Sequence, residues 1–212
     1  MTARAVARFL PRFLLRFAAF FAAACIAVFC AAAFASPEDV AKNLETRNDA
    51  VVRELKILRD SGALSDESTL ALIQKEMSPI INFRNLAGQA AGKYWRRATD
   101  EEKTQITESF RGLLEKTYAK VLAKYGDEKV RITETKLRAD GKTLVAVEIS
   151  GGGKTAKVEY VFGETAESEM KITDIKVESI SLLATYRRQF AGIAKKSGTA
   201  GLAEALQKLA SR

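Results

Sequence analysis

The chain has 212 residues, with 34 Lys+Arg against 26 Asp+Glu, a formal net charge of +8, two cysteines and no histidine. Arg4, Arg8, Arg12 and Arg16 stand in the first 35 positions without an acidic neighbour, so the remainder carries 30 basic against 26 acidic residues and a net charge of only +4. That is weak support for nucleic-acid binding, and no nucleic-acid partner is expected.

The first 35 residues read as a cleaved export signal. After the spaced arginines comes an apolar run from Phe17 to Ala35, ending in Ala33-Phe34-Ala35, which fits the small-residue cleavage rule. The competing reading is an uncleaved anchor, because the run is almost long enough to span a bilayer. The Ala-x-Ala site, followed at once by a helix cap, favours cleavage before Ser36. The expected division is a signal peptide over 1–35 and one exported domain over 36–212. Cys25 and Cys30 both fall in the signal, so the domain has no disulfide and must be held by its core.

From Ser36 the chain reads as helices. Ser36 caps and Pro37 takes the first helical position, and Val40, Leu44, Val51, Leu55 and Leu58 form a stripe up to Asp60, where Ser61-Gly62 stops it. Ser65 starts a second helix carrying Leu70, Ile73 and Met77, which Pro79 breaks. Ile80, Phe83, Leu86 and Ala90 give a third apolar face, with Gly88 and Gly92 allowing a neighbour close. A long amphipathic helix follows. Thr99 and Glu102 form a capping box, and Ile106, Phe110, Leu113, Leu114, Thr117, Tyr118, Val121, Leu122 and Tyr125 make the stripe. Gly126 stands where a left-handed terminal residue is wanted. This broad face needs a large partner, and the strands that follow are the expected one.

After Gly126 the period changes from 3.6 to 2. Val130 and Ile132, a hairpin signal at Ala139–Lys142, Val145, Val147 and Ile149, a Gly151–Gly153 turn, then Val158, Tyr160 and Phe162 and finally Ile172, Ile175 and Val177 predict four antiparallel strands in a meander. Leu183, Tyr186, Phe190 and Ile193 form another helix, and Leu202, Leu206 and Leu209 a short closing one. The expected class is α+β, one domain, with helices gathered on one face of a curved sheet.

Chemistry is scarce. With no His or Cys after the signal, serine–histidine and cysteine–histidine nucleophiles and the usual zinc sets are excluded, and neither catalytic residues nor a metal site is expected. Glu148 and Glu159 are expected to face solvent. Asp174 shares strand parity with Ile172 but not with Ile175 or Val177, and only a bulge could turn it inward. It is the one candidate for the buried carboxylate a small cone-shaped α+β enzyme would need. Gly153-Lys154-Thr155 imitates the end of a P-loop, but the first glycine would fall at Glu148, between two strands, so it is no phosphate site. Lys116, Lys120 and Lys124 form a like-charge row on the long helix, either a solvated face or a contact for anionic headgroups or an acidic partner. The aromatic residues lie on elements that should converge, which on periodicity alone means an ordinary core.

Several stretches together resemble the MlaC family, periplasmic phospholipid-binding proteins also called toluene-tolerance auxiliary proteins. They are Phe83-Arg84-Asn85-Leu86-Ala87, Gly92-Lys93-Tyr94-Trp95 leading into Ala98-Thr99-Asp100-Glu101-Glu102, Phe110-Arg111-Gly112-Leu113-Leu114 with Thr117-Tyr118, Ile175 through Leu182, Tyr186-Arg187 and Gly201-Leu202. The sequence departs from the family at Met170-Lys171, where an aromatic is common, at Ser179, where a glycine is common, and in the short loop Gly151–Lys154.

The resemblance implies a monomeric carrier, not an enzyme, with no cofactor beyond its phospholipid cargo and an apolar cavity between helices and sheet. It would shuttle lipid between an outer-membrane lipoprotein and porin complex and an inner-membrane ABC transporter with an MCE-ring subunit, maintaining outer-membrane lipid asymmetry. Exposing two acyl chains of about 30 methylenes would cost on the order of 24 kcal/mol, so such a journey needs a sheath. The implied lipid-binding residues are Val145, Val147, Val158, Tyr160, Phe162 and Val177 from the strands, and Phe110, Leu114, Tyr118, Tyr186 and Phe190 from the helices. The alternative is an enzyme or other apolar-ligand module of the periplasm.

Overall fold

The structure, a computed structural model, describes residues 35–211. The expected signal up to Phe34, with Cys25 and Cys30, lies outside the described residues.

Each predicted helix start is present. Helix α1 (Pro37–Asp60) opens on a capping box in which the Ser36 hydroxyl accepts from the Asp39 amide and the Asp39 carboxylate accepts from the Ser36 amide, both at 3.1 Å. It buries Val40, Leu44, Val51 and Leu55. Helix α2 (Asp66–Glu76) is capped by Ser65 and buries Thr69, Leu72 and Ile73, whereas Leu70 and Met77 are half-buried. The stripe is thus displaced from the predicted one. Pro79 replaces the next α-turn by a 3-10 turn, Ser78–Ile80. Helix α3 (Phe83–Ala91) starts on the Asn82 side chain. A side chain at Gly88 would place its Cβ 3.2 Å from the Trp95 indole, the close approach expected there.

Helix α4 (Asp100–Leu122) is the long amphipathic helix, with the Thr99–Glu102 box formed. Its end differs from expectation. The cap is Ala123 in right-handed geometry, and Gly126 is not among the positive-φ residues. The predicted stripe also runs too far round the helix, since Val121 is 61% exposed.

The sheet has five antiparallel strands in sequential order: β1 (Lys129–Leu137), β2 (Thr143–Gly151), β3 (Lys154–Glu164), β4 (Met170–Val177) and the two-residue β5 (Ile180–Ser181). The fifth was not expected; two residues are too short for a periodic signal. Bulges at Thr133 and Thr173 shift the register of β1 and β4 and bend the sheet. The tight link from β4 to β5 sets Glu178 and Ser179 at φ 48° and 66°, a region that favours the glycine missing at Ser179.

Helix α5 (Leu182–Ala210) joins the two predicted C-terminal helices across a kink at Gly198, whose φ of 69° and ψ of −167° are open only to glycine. Helix α4 packs chiefly against α2, α3 and α5, and no strand is among its principal partners. The expected pairing of the long helix with the sheet is therefore wrong. The largest share of the sheet's covering comes from α1, whose Val40 and Leu44 cluster with Val145, Val147, Phe162 and Ile172. Three other helices already use the face of α4.

Candidate functional site: an interior in two apolar layers

The apolar interior divides along this packing. A helical layer gathers Phe83, Leu86, Ile106, Phe110, Leu114, Phe190, Leu202 and Leu206, with Tyr118 and Tyr186 packed against it. Phe110 is its centre: Tyr186 and Phe190 meet it edge to face, with centroids 4.8 and 5.0 Å away. A sheet layer gathers Val145, Val147, Phe162, Ile172 and Ile80, with Tyr160 and Ile175 packed against it. All five predicted helical wall residues fall in the first layer, and four of the six strand residues in the second. Val158 is buried and Val177 half-buried, but both stand outside the two layers.

The strand residues nevertheless share one face. Val145 pairs with Tyr160 and Val147 with Val158, and across β4 Tyr160 pairs with Ile175 and Val158 with Val177. The bulge at Thr173 brings Ile172, opposite Phe162, onto this face too. Asp174 pairs with Val161 and so lies on the other face. It is half-buried there and engaged: its Oδ2 accepts from the Ser181 hydroxyl at 2.8 Å, and its Oδ1 from the amides of Ile175 and Leu183 at 2.8 and 3.3 Å. The bulge turns Ile172 rather than Asp174.

Tyr118 packs against the helical layer, Tyr160 against the sheet layer and Tyr186 against the helical layer. They lie on α4, β3 and α5, and each is only half-buried by accessible area. Burial nevertheless pushes all three phenols up, Tyr160 to about 12.

Among the described residues the buried carboxylate is Glu115, 4% exposed, which the sequence did not single out. Arg111 Nε donates to it at 2.7 Å, the Ser78 hydroxyl at 2.7 Å and Gln74 Nε2 at 2.9 Å. Burial pushes its pKa up, but these hydrogen bonds outweigh it and hold the carboxyl below the ordinary value. The Arg111 guanidinium in turn lies 5.4 Å from the Phe83 ring centroid. Only the i, i+4 spacing of Arg111 and Glu115 signalled this cluster in the sequence.

The lysine row divides. Lys116 donates to the Ala210 carbonyl at the end of α5, while Lys120 and Lys124 are exposed. Glu148 and Glu159 are half-buried and paired with Arg131 and Lys176. A shallow groove of about 410 Å³ runs along the outer side of α5, past Ile180, Ala184, Arg187, Arg188 and Ala191. It includes none of the predicted lipid-binding residues.

Known proteins share this architecture. The solved structure of a phospholipid-binding protein from Ralstonia solanacearum, in complex with a phospholipid, superposes with a TM-score of 0.72 at 25% identity, over 81% of this chain and 96% of that one. The intermembrane phospholipid transport system binding protein MlaC of Haemophilus influenzae is 22% identical over 169 residues, 78% of this chain and 77% of the relative. The sequence profile of the MlaC protein family matches residues 46–208. With that match running from α1 into the last turns of α5, the chain belongs to the MlaC protein family.

Proposed function

We propose that this chain is a periplasmic phospholipid carrier, exported by a signal over residues 1–35, that sheathes acyl chains between its two apolar layers. The observation that carries the reading is the arrangement of the interior: α4 spends its face on other helices, and Tyr118, Tyr160 and Tyr186 beside the two apolar layers stay only half-buried. Apolar walls that do not fully close on each other suit a cargo that completes them. Family membership and the phospholipid held by the Ralstonia protein support the same cargo.

Within this reading the eleven predicted residues take two parts. Tyr118, Tyr160, Val177 and Tyr186 keep accessible surface and touch acyl chains. Phe110, Leu114, Val145, Val147, Val158, Phe162 and Phe190, each at most 9% exposed, form the wall behind them. The carrier works as a monomer, with no cofactor, between an outer-membrane lipoprotein and porin complex and an inner-membrane ABC transporter bearing an MCE ring. No catalytic step is assigned to it. Both oxygens of Asp174 are committed at the start of α5, and Glu115 is held ionised by three donors.

Protein purified without detergent is expected to carry phospholipid, read as a bound mass on the monomer by native mass spectrometry. Empty protein alone, even after incubation with phospholipid vesicles, would sink the proposal. Fractionation of expressing cells should place the protein in the periplasm, shortened by residues 1–35.

A further inference from the structure

Charge is spread unevenly along this chain. Two stretches hold no carboxylate: 77–99, with Arg84, Lys93, Arg96 and Arg97, and 179–203, with Arg187, Arg188, Lys195 and Lys196. Outside the first 35 positions the other 22 basic residues share the chain with all 26 acidic ones. The fold brings the two acid-free stretches together, because α3 and the 3-10 turn Gly92–Arg97 both pack on α5. Gly92 has a φ of 57°, which side chains rarely adopt, and a Cβ there would stand 3.6 Å from Arg187 Nε. Lys93 follows at once, its ammonium 5.3 Å from the Tyr94 ring centroid, and the Arg84 guanidinium lies 5.7 Å from that of Trp95. On α5, Ala184, Arg187, Arg188, Ala191 and Lys195 form one outward stripe at helical spacing.

All eight cations are exposed, and none has an ion-pair partner among the described residues. The surface between them is apolar: the groove along α5 takes in Ile180, 62% exposed, with Ala184 and Ala191. Unpaired cations, half-buried Tyr94 and Trp95 and exposed aliphatic positions together match the interface of an anionic bilayer. Headgroups there take the charges, and the layer beneath them takes the aromatic and aliphatic surface. Cations not held by protein partners also suit a fluid surface, whose headgroups move to meet them. We propose that the face formed by the 3-10 turn, Arg84 and the outward stripe of α5 docks on an anionic phospholipid membrane. This goes beyond the carrier reading, since it fixes which side of the protein meets a membrane and needs no lipid inside.

The full exported chain is mixed with sucrose-loaded vesicles, either phosphatidylcholine alone or two parts phosphatidylcholine to one part phosphatidylglycerol, and the pelleted protein is measured. It should pellet with the anionic vesicles only. Salt at about 1 M should release it, because the Debye length then falls to about 3 Å. Each cation at an anionic surface strengthens adsorption roughly fivefold, so Arg96→Gln, Arg97→Gln and Arg188→Gln together should weaken it roughly a hundredfold. Lys56→Gln, Lys136→Gln and Lys154→Gln remove the same charge from exposed positions on α1, β1 and β3, and together should weaken it less than about threefold. Absence of adsorption, equal adsorption to neutral vesicles, adsorption that salt leaves unchanged, or an equal loss in the two variants overturns the proposal. The first of these would leave the face to an acidic protein. Protein that adsorbs as expected but never carries phospholipid in native mass spectrometry would sink the carrier reading alone.

Discussion

The helical and sheet layers are built from similar residues but are finished differently. In the helical layer Phe110 is met by two edge-on rings, and elsewhere on α4 Glu115 is held by Arg111, Gln74 and Ser78. The sheet layer is covered by α1 over β1, whereas Tyr160 beside it, like Tyr118 and Tyr186 beside the helical layer, makes no side-chain hydrogen bond among the described residues. A self-sufficient layer stabilises the fold, whereas an unfinished boundary is where a ligand gains most, because it supplies contacts that the protein alone lacks.

Substitutions at four positions test this contrast. The largest effect is expected for Phe110→Ala, at the centre of the aromatic cluster and 2% exposed, where about 4 kcal/mol of stability should be lost in chemical denaturation. A loss below about 1 kcal/mol would mean that this layer too is open. Next comes Glu115→Ala, which strands three donors and should cost about 3 kcal/mol. The pH dependence follows from the lowered carboxyl value. Stabilisation by Glu115 is fully present above the unfolded-state pKa and is lost as pH falls through the lower folded-state value. Denaturation curves of the unmodified protein and Glu115→Gln should therefore converge on acidification. Curves that stay parallel would show that the carboxylate charge contributes nothing.

Val145→Ala samples the sheet layer beneath α1 and should cost about 2 kcal/mol. Added phospholipid should restore part of that loss if Val145 backs a lipid wall, and none if the site is ordinary core. The smallest effect belongs to Tyr160→Phe in lipid-free protein. With no hydrogen-bond partner to lose among the described residues, stability should change by less than about 0.5 kcal/mol. A larger loss would place the hydroxyl inside a filled core and remove the contrast between the layers.

The chain itself determined most of the local architecture. Ser36, Ser65 and Thr99 start helices where they were expected, because a capping box depends on residues three apart and on nothing distant. The meander was legible because period-2 alternation survives in any half-buried sheet, and the shared face of Val145, Val147, Val158, Tyr160 and Phe162 followed from it. The family resemblance rested on the same local runs. Three features needed the tertiary structure. One is the choice of partner for α4, since an apolar stripe records that a face is buried but not against what. Another is the bulge at Thr173, which reverses the facing expected of its neighbours for a strand of unbroken period. The last is Glu115, a charge that is tolerable inside only because Gln74 and Ser78, far away in sequence, come to meet it. The separation of the interior into two layers belongs with these, because it arises from which surfaces the helices had left to offer one another.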